Sequence, residues 1–315
     1  MKRIGLGLCV LMLFSGLRSQ DKTVQDLKSD ASQTIKKNPN DTIPMIWKIG
    51  GLFNLNFNQA ALSNWSAGGD NSSLSLATFM DVFAFYKNGR NAWDNTLDLA
   101  YGYVHTTSLG SRKSDDRIDL LSKYGYEVAK SWYVGGLFNF RSQFAKGYAY
   151  QADGSKVLTS DAFAPAYLLL SAGMNYKPND EFSVFLSPAT ARWVIVNNDS
   201  LASVAAFGVD SGKNSRFEFG AFATISYIKK ISASAAYTGR LDLFSNYLHN
   251  PQNISINMTN VLAVKVTKII SMSFTVNVIY DNDIKSVKSD GTAGGPKPQI
   301  QELMAIGLAF KFGHI

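Results

Sequence analysis

The sequence predicts an all-β protein, a closed antiparallel transmembrane β-barrel of about twelve strands of the outer-membrane type. Three observations predict this fold class. Apolar and polar residues alternate over runs of about 10 to 16 residues, aromatic residues fall near the ends of these runs, and short turns alternate with longer loops. Soluble strands are mostly ~5–6 residues long, whereas ~9–11 residues cross a bilayer at a tilt, so the run length favours a membrane barrel over a soluble sandwich.

The composition excludes several other classes of protein. The 315 residues are 46% hydrophobic and 17% charged, which excludes a disordered chain. A single cysteine excludes a disulfide-stabilised scaffold. The sequence lacks the repeated apolar runs of about 20 residues that a polytopic helical membrane protein requires.

The first twenty residues have the pattern of a secretory signal peptide. Lys2 and Arg3 precede the apolar run Gly5–Leu17, and Ser19 provides a small residue before the cleavage point. We therefore predict three segments: a signal peptide at 1–20, a flexible periplasmic segment at 21–45 and an outer-membrane barrel domain at 46–315.

The mature chain is predicted to be only weakly basic. The whole sequence has 31 basic and 24 acidic residues, and the predicted signal peptide removes three of the basic ones, which leaves 28 against 24, or a net charge of +4. Basic residues are not clustered with aromatic ones, so we expect no nucleic-acid partner. The only cysteine, Cys9, lies in the signal peptide.

The alternation defines each strand in order. In the eighth, Phe217 and Phe219 share one face, whereas Arg216, Glu218 and Thr224 share the other. The predicted strands are 46–58, 72–88, 91–107, 116–129, 132–146, 165–177, 181–196, 215–228, 231–245, 253–267, 269–282 and 299–312.

The connections predict the orientation of the barrel. Turns after even-numbered strands are tight, and the longest loops after odd-numbered strands are Gly147–Ala164, Asn197–Asn214 and Asn282–Pro298. Outer-membrane barrels have short periplasmic turns and long outer loops. We therefore expect an even strand number with both termini in the periplasm.

The last strand resembles the C-terminal signal by which outer-membrane barrels are recognised for insertion. Gly307, Phe310 and Phe312 give its Gly-x-x-Φ-x-Φ spacing, although Gly313, His314 and Ile315 follow the final aromatic residue. The resemblance implies that the barrel-assembly machinery is a partner during biogenesis and that outer-membrane lipid surrounds the mature protein.

Several longer motifs resemble one family. They include Asn64–Gly69, Lys113–Arg117, Phe163–Tyr167, Leu243–Tyr247 and Tyr280–Asp283. In these motifs the chain resembles a Bacteroidetes-type family of outer-membrane proteins catalogued as a domain of unknown function, over about Trp47 to Phe312. The resemblance implies an outer-membrane barrel and supplies no catalytic residues.

Charged residues on the polar faces form the main candidate site, the barrel lumen. Both signs occur in near balance, and a mixed set in a twelve-stranded barrel favours ion pairs across a filled or narrow interior over an open pore. The candidates are Asp98, Asp119, Lys123, Glu127, Arg141, Arg216, Glu218, Arg240, Asp242 and Lys265.

The first outer loop is a second candidate. Its residues Asn64, Trp65, Gly68 and Gly69 are interpreted as a loop-closing device, in which the glycines allow positive φ and Trp65 anchors the loop at the interface. The alternative is a ligand-binding role, because exposed aromatic rings in loops stack on ligands.

Catalytic and metal sites are weakly indicated. Among the three histidines, His105 near Ser108 at the outer rim gives the only candidate pair of nucleophile and base, and no Gly-x-Ser-x-Gly motif occurs. Asp281, Asp283 and Asp290 could offer oxygens to Ca²⁺, but the EF-hand spacing is absent. We expect no catalytic residues, no metal and no cofactor.

Three functional hypotheses follow. The first is a non-enzymatic barrel with a structural or accessory role, working with other envelope proteins. The second is a narrow channel or transporter for small polar solutes, and the third is a lipid-modifying enzyme that uses His105.

Overall fold

The structure is a computed structural model that describes residues 46–61, 72–150, 155–179, 181–232, 234–267, 270–283, 285–287 and 293–314. Within these ranges, twelve antiparallel strands form one closed barrel. The predicted signal peptide, the segment 21–45 and the loop residues Asn64, Trp65, Gly68 and Gly69 lie outside the described residues.

The barrel strands have these bounds, numbered along the chain: β1 (Trp47–Ala61), β2 (Ser72–Asn88), β3 (Asn91–Thr106), β4 (Gly110–Ala129), β5 (Trp132–Ser142), β8 (Ala166–Tyr176), β9 (Phe182–Ile195), β10 (Ser215–Lys230), β11 (Ala235–Asn246), β12 (Ile254–Lys265), β13 (Ile270–Tyr280) and β16 (Gln299–His314). Each strand pairs with its neighbours in this order, and β1 pairs with β16 to close the barrel. The predicted fold class is therefore confirmed. Both described ends of the chain lie at the short-turn end.

The largest error in the predicted bounds concerns β4. It begins at Gly110, six residues before the predicted start at residue 116, so Lys113 lies in the strand and not in a loop. The ladder between β3 and β4 continues because its register shifts next to Gly102. A bulge of this kind absorbs an extra residue without ending the strand.

The long loops contain structure of their own. The loop between β5 and β8 holds the hairpin β6 (Gly147–Tyr150) with β7 (Lys156–Ser160). The loop between β13 and β16 holds β14 (Lys285–Val287) with β15 (Ala293–Pro296). The loop between β9 and β10, which we call the middle loop, holds the short helix α1 (Asp199–Ser203), followed by a 3₁₀ turn at Ala206–Gly208. The Asn198 side chain caps the first turn of α1. Among the described residues, no helix has the length and apolar character needed to span a membrane.

The outer surface of the barrel is strongly apolar. Side chains on alternate positions of most strands are large, hydrophobic and exposed, among them Leu74, Leu76, Tyr101, Tyr103, Phe217, Phe219, Met304, Phe310 and Phe312. A soluble monomer rarely exposes such a continuous apolar surface, whereas barrels in a lipid bilayer require one.

Aromatic side chains gather on this surface at the short-turn end. Trp47 lies 5.1 Å from Tyr86 and 5.9 Å from Trp93 between ring centroids, and Trp132 lies 4.7 Å from Tyr176. Such a belt matches the aromatic girdles that sit at membrane–water interfaces.

The inner face carries buried apolar side chains as well as polar ones. Five strands from β5 to β11 contribute one tightly packed cluster, Leu137, Leu169, Phe185, Phe222 and Phe244. A second cluster joins β1, β2 and β12 through Leu52, Phe83, Phe85 and Ala263. Side chains from distant strands therefore meet inside the barrel and fill part of its cross-section.

In strand β9, the residue positions that point into the barrel change halfway along the strand. Phe185 and Ser187 are buried, and so are Thr190 and Val194, so the buried positions change from odd to even numbers. The register with both neighbouring strands shifts at this point, next to Pro188. Proline has no N–H for the ladder and is found at bulges when it occurs inside sheets.

Candidate functional site: the barrel interior

Four charged residues meet across the interior at mid-height, and we call them the central cluster: Asp119, Arg141, Arg240 and Asp242. Arg141 Nε lies 3.0 Å from Asp119 Oδ2, and its Nη2 lies 2.5 Å from Asp242 Oδ2. Arg240 Nε lies 2.9 Å from Asp242 Oδ1. Because β8, β9 and β10 lie between β5 and β11 in the wall, the Arg141–Asp242 pair crosses the lumen.

A second cluster lies nearer the long loops, and we call it the outer cluster: Arg192, Arg216, Glu218, Asp281 and Asp283. Arg192 pairs with Glu218, which is fully buried, and its Nη2 lies 3.4 Å from Asp281 Oδ2. Arg216 Nη1 lies 2.9 Å from Asp283 Oδ2. These pairs tie β9 and β10 to the loop after β13.

The outer cluster also holds the middle loop in place. Arg216 Nη1 donates a hydrogen bond of 2.7 Å to the carbonyl oxygen of Gly208, in the 3₁₀ turn. Leu201, Ala202 and Val209 of the same loop pack on Val194 of β9. The loop is therefore fixed to the inner wall of the barrel at the long-loop end.

A cavity of about 240 Å³ lies between the two clusters. Arg141 and Asp242 line one side of it, Arg192 and Asp281 line another, and the Phe244 ring supplies an apolar wall. The Arg192 guanidinium carbon lies 4.3 Å from the centroid of that ring. The cavity is thus charged but close to electrically balanced.

Three carboxylates form a row across neighbouring strands. Asp81 on β2 is opposite Asp98 on β3, which is opposite Asp119 on β4. Residues directly opposite in antiparallel strands share one face, with Cα atoms about 4.5–5.5 Å apart. Adjacent like charges oppose folding, and the guanidinium groups of Arg141 and Arg240 offset this at the Asp119 end of the row.

The opposite wall carries small, uncharged polar side chains on β12, β13 and β16. The register places Asn257 level with Asp242, and Ser271 next to Gly307. Asn277 Nδ2 donates a hydrogen bond of 3.0 Å to Gln301 Oε1. This wall is mainly neutral and polar towards the long loops, and it carries the buried Lys265 at the short-turn end of β12.

A second cavity, of about 220 Å³, lies at the short-turn end. Its basic lining residues are Lys87, Lys123, Lys130 and Lys177, and its acidic ones are Asp94 and Glu127. Lys87 Nζ lies 3.1 Å from Glu127 Oε2, and Lys123 is directly opposite Asp94 in the β3–β4 ladder.

The predicted lumen residues lie in these places. Arg141, Arg240 and Asp242 come together in the central cluster with Asp119, and Arg216 and Glu218 come together in the outer cluster. The remaining predicted residues lie apart from both clusters, Asp98 in the carboxylate row, Lys123 and Glu127 at the short-turn cavity, and Lys265 buried at the end of β12.

Sequence reasoning missed Arg192, which joins the outer cluster. A strict period of two through β9 places Arg192 on the face opposite Phe185 and Ser187. The bulge next to Pro188 reverses that assignment. A proline inside a predicted central strand was the available signal.

The histidine of the candidate catalytic arrangement has a serine partner other than the one nearest in sequence. His105 Nδ1 lies 2.7 Å from Ser111 Oγ, directly opposite on β4. This difference follows from the early start of β4, which brings Ser111 into the ladder. Both side chains are exposed, and among the described residues no carboxylate or amide hydrogen-bonds to this imidazole.

The candidate calcium ligands have other partners. Asp281 and Asp283 are bound by arginines of the outer cluster, and Asp290 lies outside the described residues. In the described part of the chain, no group of three or more His, Cys, Asp or Glu side chains is placed to hold a metal ion.

The residues of the predicted C-terminal signal occupy distinct positions in β16. Phe310 and Phe312 are exposed on the outer surface, and the strand continues beyond them to His314. Gly307 lies between Ser271 and Asn56, where an added Cβ would come within 2.5 Å of the Leu55 carbonyl oxygen. The glycine is therefore required by close packing of β1 on β16.

Part of the chain is similar to a known protein family. A family model described as "Protein of unknown function (DUF3078)" matches residues 57–148, a range that includes the Asn64–Gly69 and Lys113–Arg117 motifs. No curated protein matches the chain significantly.

Solved structures with a similar arrangement include three bacterial barrels. An outer-membrane channel of Pseudomonas putida F1 is 13% identical, with a TM-score of 0.40 and coverage of 88% of this chain and 100% of that one. The translocator domain of the autotransporter NalP from Neisseria meningitidis is 12% identical (TM-score 0.36; 86% and 90% covered). Outer membrane phospholipase A from Escherichia coli is 10% identical (TM-score 0.36; 89% and 97% covered).

Proposed function

We propose that the protein is a non-enzymatic barrel of the bacterial outer membrane, with a closed interior and a structural or accessory role alongside other envelope proteins. One observation carries the proposal: the Arg141–Asp242 ion pair crosses the lumen at mid-height. The apolar outer surface supports the membrane location. Short turns at the end that holds both described termini support a periplasmic position for those termini.

The closed interior is supported by two kinds of filling. The apolar cluster around Phe185 and Phe222 occupies part of the inner space, and the central cluster crosses the lumen beside it. Water and ions would have to pass both the apolar and the charged side chains. The purified protein in planar bilayers is therefore expected to give no conductance steps, and regular steps from the wild-type protein would contradict a closed interior.

The accessory role is tested by identifying the proteins that bind the barrel. The tagged protein is purified in mild detergent from native outer membranes, with an untagged strain as the control, and co-eluting proteins are identified by mass spectrometry. We expect a stoichiometric set of envelope proteins. Elution of the barrel alone, or as a homo-oligomer, would contradict the accessory role.

A second candidate is a narrow channel for small polar solutes. It is favoured by the row of carboxylates Asp81, Asp98 and Asp119 on β2, β3 and β4. Such a path would favour cations, because three carboxylates line it in this row. Under this candidate, the Asp81→Asn and Asp98→Asn double variant would lower cation selectivity in bilayers, and an unchanged selectivity would exclude the row as the filter.

A further inference from the structure

The cavity at the short-turn end has an excess of positive charge. Four lysines and two acidic residues line it, and Lys87 forms an ion pair with Glu127. Lys123 faces Asp94 across the β3–β4 ladder. The remaining two lysines, Lys130 and Lys177, come from the turns that follow β4 and β8.

Neither of these two lysines has a counter-charge among the described residues. Every ion pair in those ranges involves other groups. Two ammonium groups on the rim of one cavity repel each other and lower the energy of an anion between them. The positive electrostatic potential at the rim of the cavity therefore favours the binding of a negatively charged group.

The inner wall of the cavity adds a polar group without a partner. Asn175 is only 8% exposed, and its Oδ1 has no hydrogen-bond partner among the described residues. Tyr133 and Phe185 lie directly opposite it on the two neighbouring strands and also line the cavity. An unsatisfied buried amide is costly, so a ligand hydroxyl or amine that donates to it would be bound favourably.

We propose that this cavity binds a small anion that carries a carboxylate or phosphate and at least one hydrogen-bond donor. Lys130 and Lys177 contact the anionic group, Asn175 accepts a hydrogen bond from the donor, and the aromatic rings of Tyr133 and Phe185 pack against the ligand body. A volume of about 220 Å³ limits the ligand to a size below that of most drug-like molecules. The orientation under the proposed function makes the cavity accessible from the periplasm, but binding itself does not require an open pore.

The test uses the full chain in zwitterionic detergent and two probes, glycerol 3-phosphate and glycerate, with glycerol as the uncharged control. Binding is measured by saturation-transfer NMR titration. Wild-type protein is expected to bind at least one of the two anions and not glycerol. Tighter binding of glycerol 3-phosphate would identify phosphate as the preferred group, and tighter binding of glycerate would identify carboxylate.

Three variants assign the binding to this cavity. The Lys130→Gln and Lys177→Gln double variant is expected to weaken binding about tenfold, the effect of losing two charge-assisted contacts. Its matched control is the Lys156→Gln and Lys213→Gln double variant, which removes two lysines from the long loops and is expected to bind as the wild type does. Asn175→Leu is expected to weaken binding while the barrel keeps its heat-modifiable migration on gels.

Two results would overturn the proposal. One is the absence of binding of either anion to the wild-type protein. The other is an equal loss of affinity in the two lysine double variants, since this would show a general effect of net charge. Neither result bears on whether the interior conducts, so the proposed function is judged separately by its own measurements.

Discussion

Arg141 and Asp242 form an ion pair of 2.5 Å between strands that are separated by three others in the barrel wall. Both residues are also held by near neighbours: Arg141 binds Asp119, and Asp242 binds Arg240. Two guanidinium groups and two carboxylates thus share one network, in which no single pair can move alone. The network fixes the distance between two parts of the wall.

Arg141→Met is expected to destabilise the barrel. The substitution keeps most of the side-chain volume but leaves Asp119 and Asp242, which are largely buried, with only Arg240 as counter-charge. We expect a loss of roughly 1–3 kcal/mol in the free energy of unfolding. The measurement is urea unfolding in lipid vesicles, followed by tryptophan fluorescence.

The control for this prediction is Lys213→Met. Lys213 also forms an ion pair, with Asp210, but its side chain is 68% exposed in a loop. Exposed pairs contribute little to stability, so this variant is expected to unfold as the wild type does. Equal effects of the two substitutions would show that the central cluster does not stabilise the barrel.

Arg216→Gln is expected to release the middle loop. The guanidinium joins the Gly208 carbonyl oxygen at 2.7 Å to Asp283 at 2.9 Å, and glutamine is too short and uncharged to replace both contacts. Peptides covering 198–214 should therefore exchange amide hydrogen faster than in the wild type. Lys229→Gln, which removes an exposed pair with Glu181 at the opposite end, is the control and should leave this exchange unchanged.

The strand layout could be predicted from the sequence, because a period of two is a local property. All twelve strands of the barrel were located by alternation, with bounds that differ by a few residues except at the start of β4. The facing of Phe217 and Arg216 on β10 followed from the same pattern. Alternation failed only where a bulge changes the count, as at Pro188.

The partners inside the barrel could not be predicted in the same way. Balanced charges on the inner face predicted ion pairs, but not that Arg141 reaches β11 or that Arg192 reaches Asp281. Such pairs depend on strand tilt and curvature, which arise from the whole closed sheet. The sequence of a single strand does not determine which distant strand its side chains contact across the lumen.

Gly173→Ala is expected to damage the barrel at the β9 bulge. An added Cβ at Gly173 would lie 2.1 Å from the carbonyl oxygen of Leu186, on backbone that is held by the ladder and cannot move freely. We expect a loss of about 1–3 kcal/mol or a failure to fold, detected by heat-modifiable migration and urea unfolding. Gly295→Ala is the control, because a Cβ at Gly295 meets nothing within 4 Å. A fully stable Gly173→Ala barrel would show that the bulge is not packed as described.

The His105–Ser111 pair provides the sharpest test of the non-enzymatic proposal. The hydrogen bond of 2.7 Å has the length found between a nucleophile and its base. A catalytic base, however, is itself oriented by a third group, and none among the described residues bonds to this imidazole. Directly opposite polar side chains on an exposed face are also an ordinary cross-strand pair. We therefore expect the wild-type protein to release no fatty acid from phospholipid vesicles, at the background level of the His105→Ala and Ser111→Ala variants. Release that is present in the wild type and lost in both variants would make the protein a hydrolase and refute the proposal.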